Sequence, residues 1–175
     1  MGTTISGATG IDKVQDGTIV NADINSSAAI AGTKLVMPTG SVLQVVTGTT
    51  TTLQSISTTS WTDTNLSLSI TPSATTSKIH IQYLFPSVYL TAANCGCSMR
   101  ILRDTTSLFT PNHGYAIYNG TGIGYWQYGD IDLDSPSTTS SVTYKIQVRN
   151  YNSNTVQLSP SSYYKNRIIL MEIAG

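Results

Sequence analysis

A cluster of aromatic side chains is the strongest candidate for binding chemistry in this chain. Tyrosine and tryptophan combine a large, rigid apolar surface with a polar group, which suits stacking against sugars or recognition of another protein. Because side chains alternate along a strand, Trp126 and Tyr128 should share one face and Tyr125 the other. One set could contact a ligand while the other packs in a core or between subunits. The members of the cluster are Tyr115, Tyr118, Tyr125, Trp126 and Tyr128.

Residues suited to catalysis are few. The chain has two histidines, and Glu172 is its single glutamate. It has no Gly-x-Ser-x-Gly motif of the kind that exposes a nucleophilic serine. Glycine recurs in residues 120–124, but no helix is predicted after them to bind a phosphate. We therefore expect a protein that binds rather than one that catalyses, with no catalytic residue and no cofactor.

Two short groups could in principle hold a metal ion. Asp130, Asp132 and Asp134 alternate on one face of a predicted strand and could bind calcium with the help of loop carbonyls. The alternative is a solvated acidic face that ends in a turn. Cys95 and Cys97 also share a strand face and are too constrained to bridge each other easily, so we expect two buried thiols. We expect no metal site.

The amino-acid composition limits both the fold classes and the kinds of binding partner that we expect. The net charge is zero and only 10% of the residues are charged, so no basic surface is available for nucleic acid. No apolar run approaches the ~18 residues of a membrane-spanning helix, and membrane insertion is not expected. Long helix-forming side chains are scarce, whereas threonine, valine, isoleucine and tyrosine are plentiful, which predicts an all-β protein.

Alternating apolar residues predict the strands from residue 38 onward. Residues 141–149 alternate almost perfectly, and residues 167–173 are nearly all apolar, as in a central strand covered on both sides. Residues 78–85 form another predicted strand, which Pro86 should end. About eight to ten short strands separated by turns favour a jelly-roll-like β-sandwich over residues 38–175.

The first 37 residues follow a different pattern. Apolar side chains recur at about every fifth position, which fits neither a helix nor a half-buried strand, and turn-forming residues lie between them. Several copies wound around a common axis would bury these side chains, whereas one copy alone would not. Residues 1–37 are therefore predicted to be an extended or β-structured shaft or anchor. Its packing residues are Val14, Ile19, Ile24, Ile30 and Leu35.

Residues 16–35 contain the pattern DGTI…ADIN…AAIAGTKL, which resembles the N-terminal element of tailed-bacteriophage virion appendages. Proteins with this element include tail fibres, head fibres and capsid decorations. Parts of the predicted sandwich resemble the same group, and residues 87–128 resemble it least. The sandwich segments that carry the resemblance are residues 40–45, 66–73, 77–79, 134–136, 143–145 and 170–175.

The resemblance implies a homotrimeric virion protein, made in the cytoplasm of a bacterial host. Its N-terminal segment would dock on other virion proteins, and its sandwich would face outward toward a host-surface glycan or protein. The chain has one copy of the N-terminal element, which favours a short appendage over a long fibre. Two alternatives stay open: a decoration protein that cements the capsid, and a jelly-roll carbohydrate-binding module.

Overall fold

The computed structural model describes Ser27 and residues 35–108, 117–119, 121–152, 154–159 and 161–175. The chain divides after Val36 into two units, and the fold described below is that of the second, Met37–Gly175. Four of the predicted packing residues lie outside the described residues: Val14, Ile19, Ile24 and Ile30.

The described residues form eleven β-strands and no helix. The strands are β1 (Val42–Thr50), β2 (Gln54–Ile56), β3 (Thr62–Ile70), β4 (Lys78–Leu90), β5 (Cys95–Arg103), β6 (Thr106–Ser107), β7 (Ile117–Asn119), β8 (Gly124–Asp134), β9 (Val142–Asn150), β10 (Val156–Leu158) and β11 (Asn166–Ile173).

These strands form two antiparallel sheets. In sheet I, the six-stranded one, β11 lies between β1 and β4, and β8 pairs with β4. The short strand β10 also pairs with β4, next to β2. Sheet II has five strands, with β9 between β3 and β5, and with β6 and β7 both on β5. The chain passes repeatedly from one sheet to the other, and the predicted all-β sandwich is confirmed.

The core lies between the two sheets and follows the alternation of the sequence. In β9, every second residue from Val142 to Asn150 is buried, as predicted for residues 141–149. In β11, Ile168 and Leu170 point into the core. This strand is central in its sheet, as its apolar run indicates, but its outer residues remain partly exposed.

The prediction that Pro86 ends its strand is wrong. Strand β4 continues through Pro86 to Leu90, and its register with β8 shifts between Phe85 and Val88. This shift is a β-bulge, in which one residue of the strand is left out of the hydrogen-bond ladder. A proline, which has no backbone N–H group, can occupy a bulge without loss of a ladder hydrogen bond. The bulge places Ser87 and Val88 in the core in succession.

Candidate binding surface

The outer face of sheet I, the face turned away from sheet II, is rich in apolar side chains. One row of cross-strand neighbours consists of Val45, Met171, His80 and Leu133. In the next row, Ile169 and Ile131 flank Gln82. Val45, Ile131 and Leu133 are all exposed. His80 and Gln82 interrupt the two rows at β4, but exposed apolar side chains gathered on one face of a folded domain are typical of a contact surface.

Charge is distributed unevenly between the two faces of sheet I. The carboxylates of its strands occupy positions on the side that faces sheet II, where Glu172 is buried and Asp130, Asp132 and Asp134 lie opposite core residues of β4. Outward positions carry basic groups instead, including Arg167 of β11. The outer face described here is therefore apolar and cationic, although the whole chain has no net charge.

At one end of this face, tyrosines form the wall of a hollow. Tyr125 stacks on Tyr89 across β8 and β4, with ring centroids 4.6 Å apart and ring planes inclined by 24°. Such a pair holds both rings in place. Tyr125 is nevertheless 65% exposed. With Ser161, Tyr163 and Tyr164 it lines a hollow of about 370 Å³.

A second hollow, of about 280 Å³, shares Tyr163 and Tyr164 with the first. Its other lining residues are Leu84, Pro86, Lys165 and Arg167. We call the two hollows together the aromatic groove. Tyr163 is 91% exposed and lines both hollows, whereas Tyr125 lines the first and the two cations line the second.

Tyr163 and Tyr164 were not among the residues predicted from the sequence to form the recognition cluster. They lie in the loop Ser161-Ser162-Tyr163-Tyr164-Lys165, between β10 and β11. Two consecutive aromatic residues in an otherwise polar loop were a sequence pattern from which a binding surface could have been predicted. Their proximity to Tyr125, 38 positions or more earlier in the chain, depends on how the strands are ordered in the sheet and could not be predicted from spacing.

The five aromatic residues predicted as a recognition cluster are placed differently from one another. Tyr115 lies outside the described residues, and Tyr118 belongs to β7. Trp126 and Tyr128 share the face of β8 opposite to that of Tyr125, as the alternation indicates. Trp126 is 44% exposed, whereas Tyr128 packs against the core. Of Tyr125, Trp126 and Tyr128, Tyr125 is the one that lines the aromatic groove.

Tyr128 is held in the core by its neighbours. Its ring tilts against that of Tyr83, with centroids 6.1 Å apart. Burial raises the pKa of both phenols, so both stay neutral. From the predicted shaft, the described residue Leu35 is 51% exposed within the single chain.

The expectation that Asp130, Asp132 and Asp134 form a solvated acidic face is wrong for Asp134. Its side chain is 9% exposed and forms an ion pair with Arg103 at 2.8 Å. The hydroxyl group of Tyr144 donates to the same carboxylate at 2.7 Å. These contacts join β8 of sheet I to β5 and β9 of sheet II.

The other two carboxylates bind backbone groups of their own strand. Asp130 accepts a hydrogen bond from the N–H of Ile131 at 2.8 Å, and Asp132 accepts one from the N–H of Leu133 at 2.7 Å. Across the described part of the chain, no three potential metal-ligating side chains are grouped together.

Cys95 and Cys97 are both buried and unbridged. Burial raises the pKa of the Cys97 thiol to about 12, and burial likewise raises that of Cys95. Since the thiolate is the reactive form, both side chains serve as small apolar groups at neutral pH.

Glu172 is fully buried, and its carboxylate accepts four hydrogen bonds. The N–H and hydroxyl groups of Ser73 donate at 2.7 and 2.6 Å, the Ser77 hydroxyl at 2.7 Å and the Gln44 amide at 2.6 Å. Burial opposes ionisation of this carboxyl, but the hydrogen bonds outweigh burial and lower its pKa. The ionised form is therefore the one that the fold stabilises.

Trp61, an aromatic residue at the surface of sheet II, has different surroundings from the exposed tyrosines. The guanidinium groups of Arg100 and Arg149 lie 4.5 and 4.7 Å from the ring centroid of Trp61. Arg100 also donates twice to the Gln147 side chain. Trp61 is thus occupied by partners within the fold, which distinguishes it from the exposed tyrosines of the aromatic groove.

Comparison with known proteins assigns no family. No protein-family model matches the chain, and no curated protein matches it. Among solved structures, the VP2 subviral particle of infectious bursal disease virus is similar to 85% of this chain, with a TM-score of 0.42 and 12% identity. The matched part is 37% of the VP2 chain, so the present chain spans little more than a third of that protein. The described residues contain no helix that is long and apolar enough to cross a membrane.

Proposed function

We propose that this chain is a structural protein of a tailed-bacteriophage virion. In this proposal it forms a homotrimeric appendage, docks on the particle through its N-terminal segment and turns its β-sandwich toward the host surface. The proposal draws on the resemblance of residues 16–35 and of the sandwich segments to phage appendage proteins. The mechanism is binding without turnover.

The observation that carries host contact is the aromatic groove at the end of an apolar outer sheet face. Exposed tyrosines cost little conformational entropy on binding and offer both stacking and hydrogen bonding. Tyr89 and Tyr125 also lie within residues 87–128, the stretch that least resembles the other appendages. A recognition surface that differs with the host is expected to lie in such a stretch.

The segments that carry the resemblance have a different role in the fold. Ser73 and Ser77 meet Glu172 at one end of the sandwich, and Tyr144 meets Asp134 between the sheets. These residues belong to segments 66–73, 77–79, 170–175, 143–145 and 134–136. The segments that resemble other appendage proteins therefore build the scaffold of the sandwich, which supports a shared architecture. In this proposal, the aromatic groove recognises the target.

The position of the chain in purified virions tests the proposal. Mass spectrometry should detect it in particles, and cryo-electron microscopy should place it at a tail or at isolated head sites with three-fold symmetry. A high copy number spread over the capsid lattice would favour the decoration protein, which the single N-terminal element also permits. A protein that is absent from particles and monomeric would favour the free carbohydrate-binding module and contradict the proposal.

A further inference from the structure

We propose that the aromatic groove binds an acidic oligosaccharide, one that carries carboxylate groups on its sugar rings. This inference rests on the proposed function for the biological source of the sugar, a glycan of the host surface. The binding chemistry itself rests on the groove alone.

The first hollow has the requirements for stacking a sugar ring. Sugar rings present a face of C–H groups, which packs well on an aromatic surface that is already fixed in place. Tyr125 is such a surface because Tyr89 stacks beneath it. Tyr163 and Tyr164 line the same hollow, and Ser161 adds a hydroxyl group for hydrogen bonding.

The second hollow supplies the charge. Lys165 and Arg167 line it beside Leu84 and Pro86, and among the described residues that line the two hollows none is acidic. In the sheet register Arg167 lies between Thr49 and Leu84, so its cross-strand neighbours are uncharged. A guanidinium group recognises a carboxylate through two parallel hydrogen bonds, which gives specificity as well as affinity.

The arrangement of the hollows favours an oligosaccharide over a single sugar. Tyr125 lines the first hollow, Lys165 and Arg167 line the second, and Tyr163 and Tyr164 line both. A ligand that contacts Tyr125 and the cations must therefore span both hollows. We therefore infer at least two linked sugar rings, one stacked on Tyr125 and one with its carboxylate near Arg167.

Charge argues against a second copy of this chain as the occupant. A two-fold interface brings the same surface of both subunits together. Lys165 and Arg167 of one copy would then approach those of the other, and the described outer face of sheet I has no carboxylate to compensate them. A ligand of opposite charge meets no such repulsion.

The test titrates the full-length protein with tetragalacturonate, an acidic probe, and with maltotetraose, a neutral one, by calorimetry at low and high salt. We expect tetragalacturonate to bind more tightly than maltotetraose and to lose affinity as salt rises. Tyr163→Ala should weaken binding of the acidic probe roughly tenfold, the effect expected when an anchoring aromatic group is lost. Arg167→Gln should remove the preference for the acidic probe.

The matched control variants remove an aromatic side chain and a positive charge outside the groove. Tyr151→Ala removes another exposed tyrosine, and Lys78→Gln removes another cation of sheet I. Both should bind tetragalacturonate as the unmodified protein does. Circular dichroism of each variant checks the fold, which Tyr163→Ala should leave intact because that side chain is almost fully exposed.

The inference would be overturned by a lack of tetragalacturonate binding, by equal affinity for the two probes, or by an Arg167→Gln variant that keeps the preference. Self-association that Tyr163→Ala abolishes would assign the groove to a second copy and would also overturn it. Failure here is distinct from failure of the proposed function. A chain found in virions that ignores the acidic probe contradicts only the groove ligand, whereas a chain that binds the probe but is absent from virions contradicts only the virion role.

Discussion

At the scale of single residues, Glu172 does the most to hold one end of the sandwich together. Its carboxylate joins β11 to Gln44 of β1 and to Ser73 and Ser77 in the connection between β3 and β4. The sequence shows only a lone acidic residue in an apolar run. Its partners are 95 or more positions away, so local patterns could not reveal them.

We predict that Glu172→Gln lowers the free energy of unfolding by about 2 kcal/mol, the range for buried hydrogen bonds to a charged group. The new amide nitrogen is a donor, and the groups around it are also donors, so at least one of the four hydrogen bonds is lost. Urea denaturation measures the change. Gln82→Ala, on the outer face, should change stability by less than ~0.5 kcal/mol; equal stability of the glutamine variant and the unmodified protein would contradict the prediction.

The same carboxyl predicts a pH dependence. Its pKa in the folded protein lies below the ordinary value of 4.5, so the unfolded chain binds its proton more readily. The stabilisation is complete above that value and is lost as the pH falls through the lower pKa of the folded state. The difference in stability between the unmodified protein and Glu172→Gln should therefore shrink below pH 4.5.

Asp63, a second carboxyl group whose pKa is lowered in the folded protein, supplies the control for this pH experiment. The hydrogen bond from Lys145 lowers the pKa of Asp63, which lies on the surface of sheet II. Asp63→Asn should keep most of the acid-dependent loss because Glu172 is unchanged. Denaturation midpoints measured between neutral pH and pH 3 would contradict the prediction if Glu172→Gln and the unmodified protein differed by a constant amount.

At the scale of elements, the two long edges of sheet I differ. Strand β8 pairs with β4 on one side, and the N–H groups of Ile131 and Leu133 are bound by the aspartates that precede them. Unpaired edge groups invite another strand, and charged side chains on an edge discourage it. Strand β1 pairs with β11, and no described side chain caps its backbone on the other side.

We predict that the double variant Asp130→Ala with Asp132→Ala associates or aggregates as its concentration rises. The substitutions release the N–H groups of Ile131 and Leu133, whose side chains are already exposed and apolar. Light scattering during mild heating measures the effect. A variant with Asp130→Asn and Asp132→Asn loses the same charge but keeps a side-chain oxygen that can accept from each N–H group, so it should stay dispersed; equal scattering from both variants would assign the effect to charge alone.

The elements themselves were largely predictable, because period-two patterns report burial on one face. The alternation in residues 141–149 and the apolar run in residues 167–173 both correspond to observed strands. The error at Pro86 arose because a bulge accommodates the proline within β4. The aromatic groove and the ion pair between Arg103 and Asp134 could not be predicted, since both join side chains that only the folded topology brings together.

At the scale of the whole molecule, the homotrimer remains a prediction about the N-terminal segment. We predict that Ile24→Asp abolishes trimers in sedimentation analysis, because a carboxylate at an apolar position of a shared axis would be buried without a partner. Ser26→Asp introduces the same charge at a polar position of this segment and should leave trimers intact. Trimers that survive in Ile24→Asp would contradict the prediction.

The unequal edges of sheet I also limit how such molecules can grow into larger arrays. Head-to-tail assembly through sheet edges needs two edges on every molecule that can each pair with a further strand. The carboxylates of Asp130 and Asp132 block one of these edges, β8. Of the two long edges of sheet I, this leaves β1, which can pair only with the β1 edge of another copy, so a series built through these edges ends after a single pairing. Many copies can therefore lie side by side at high local density without forming a continuous filament through the long edges of sheet I.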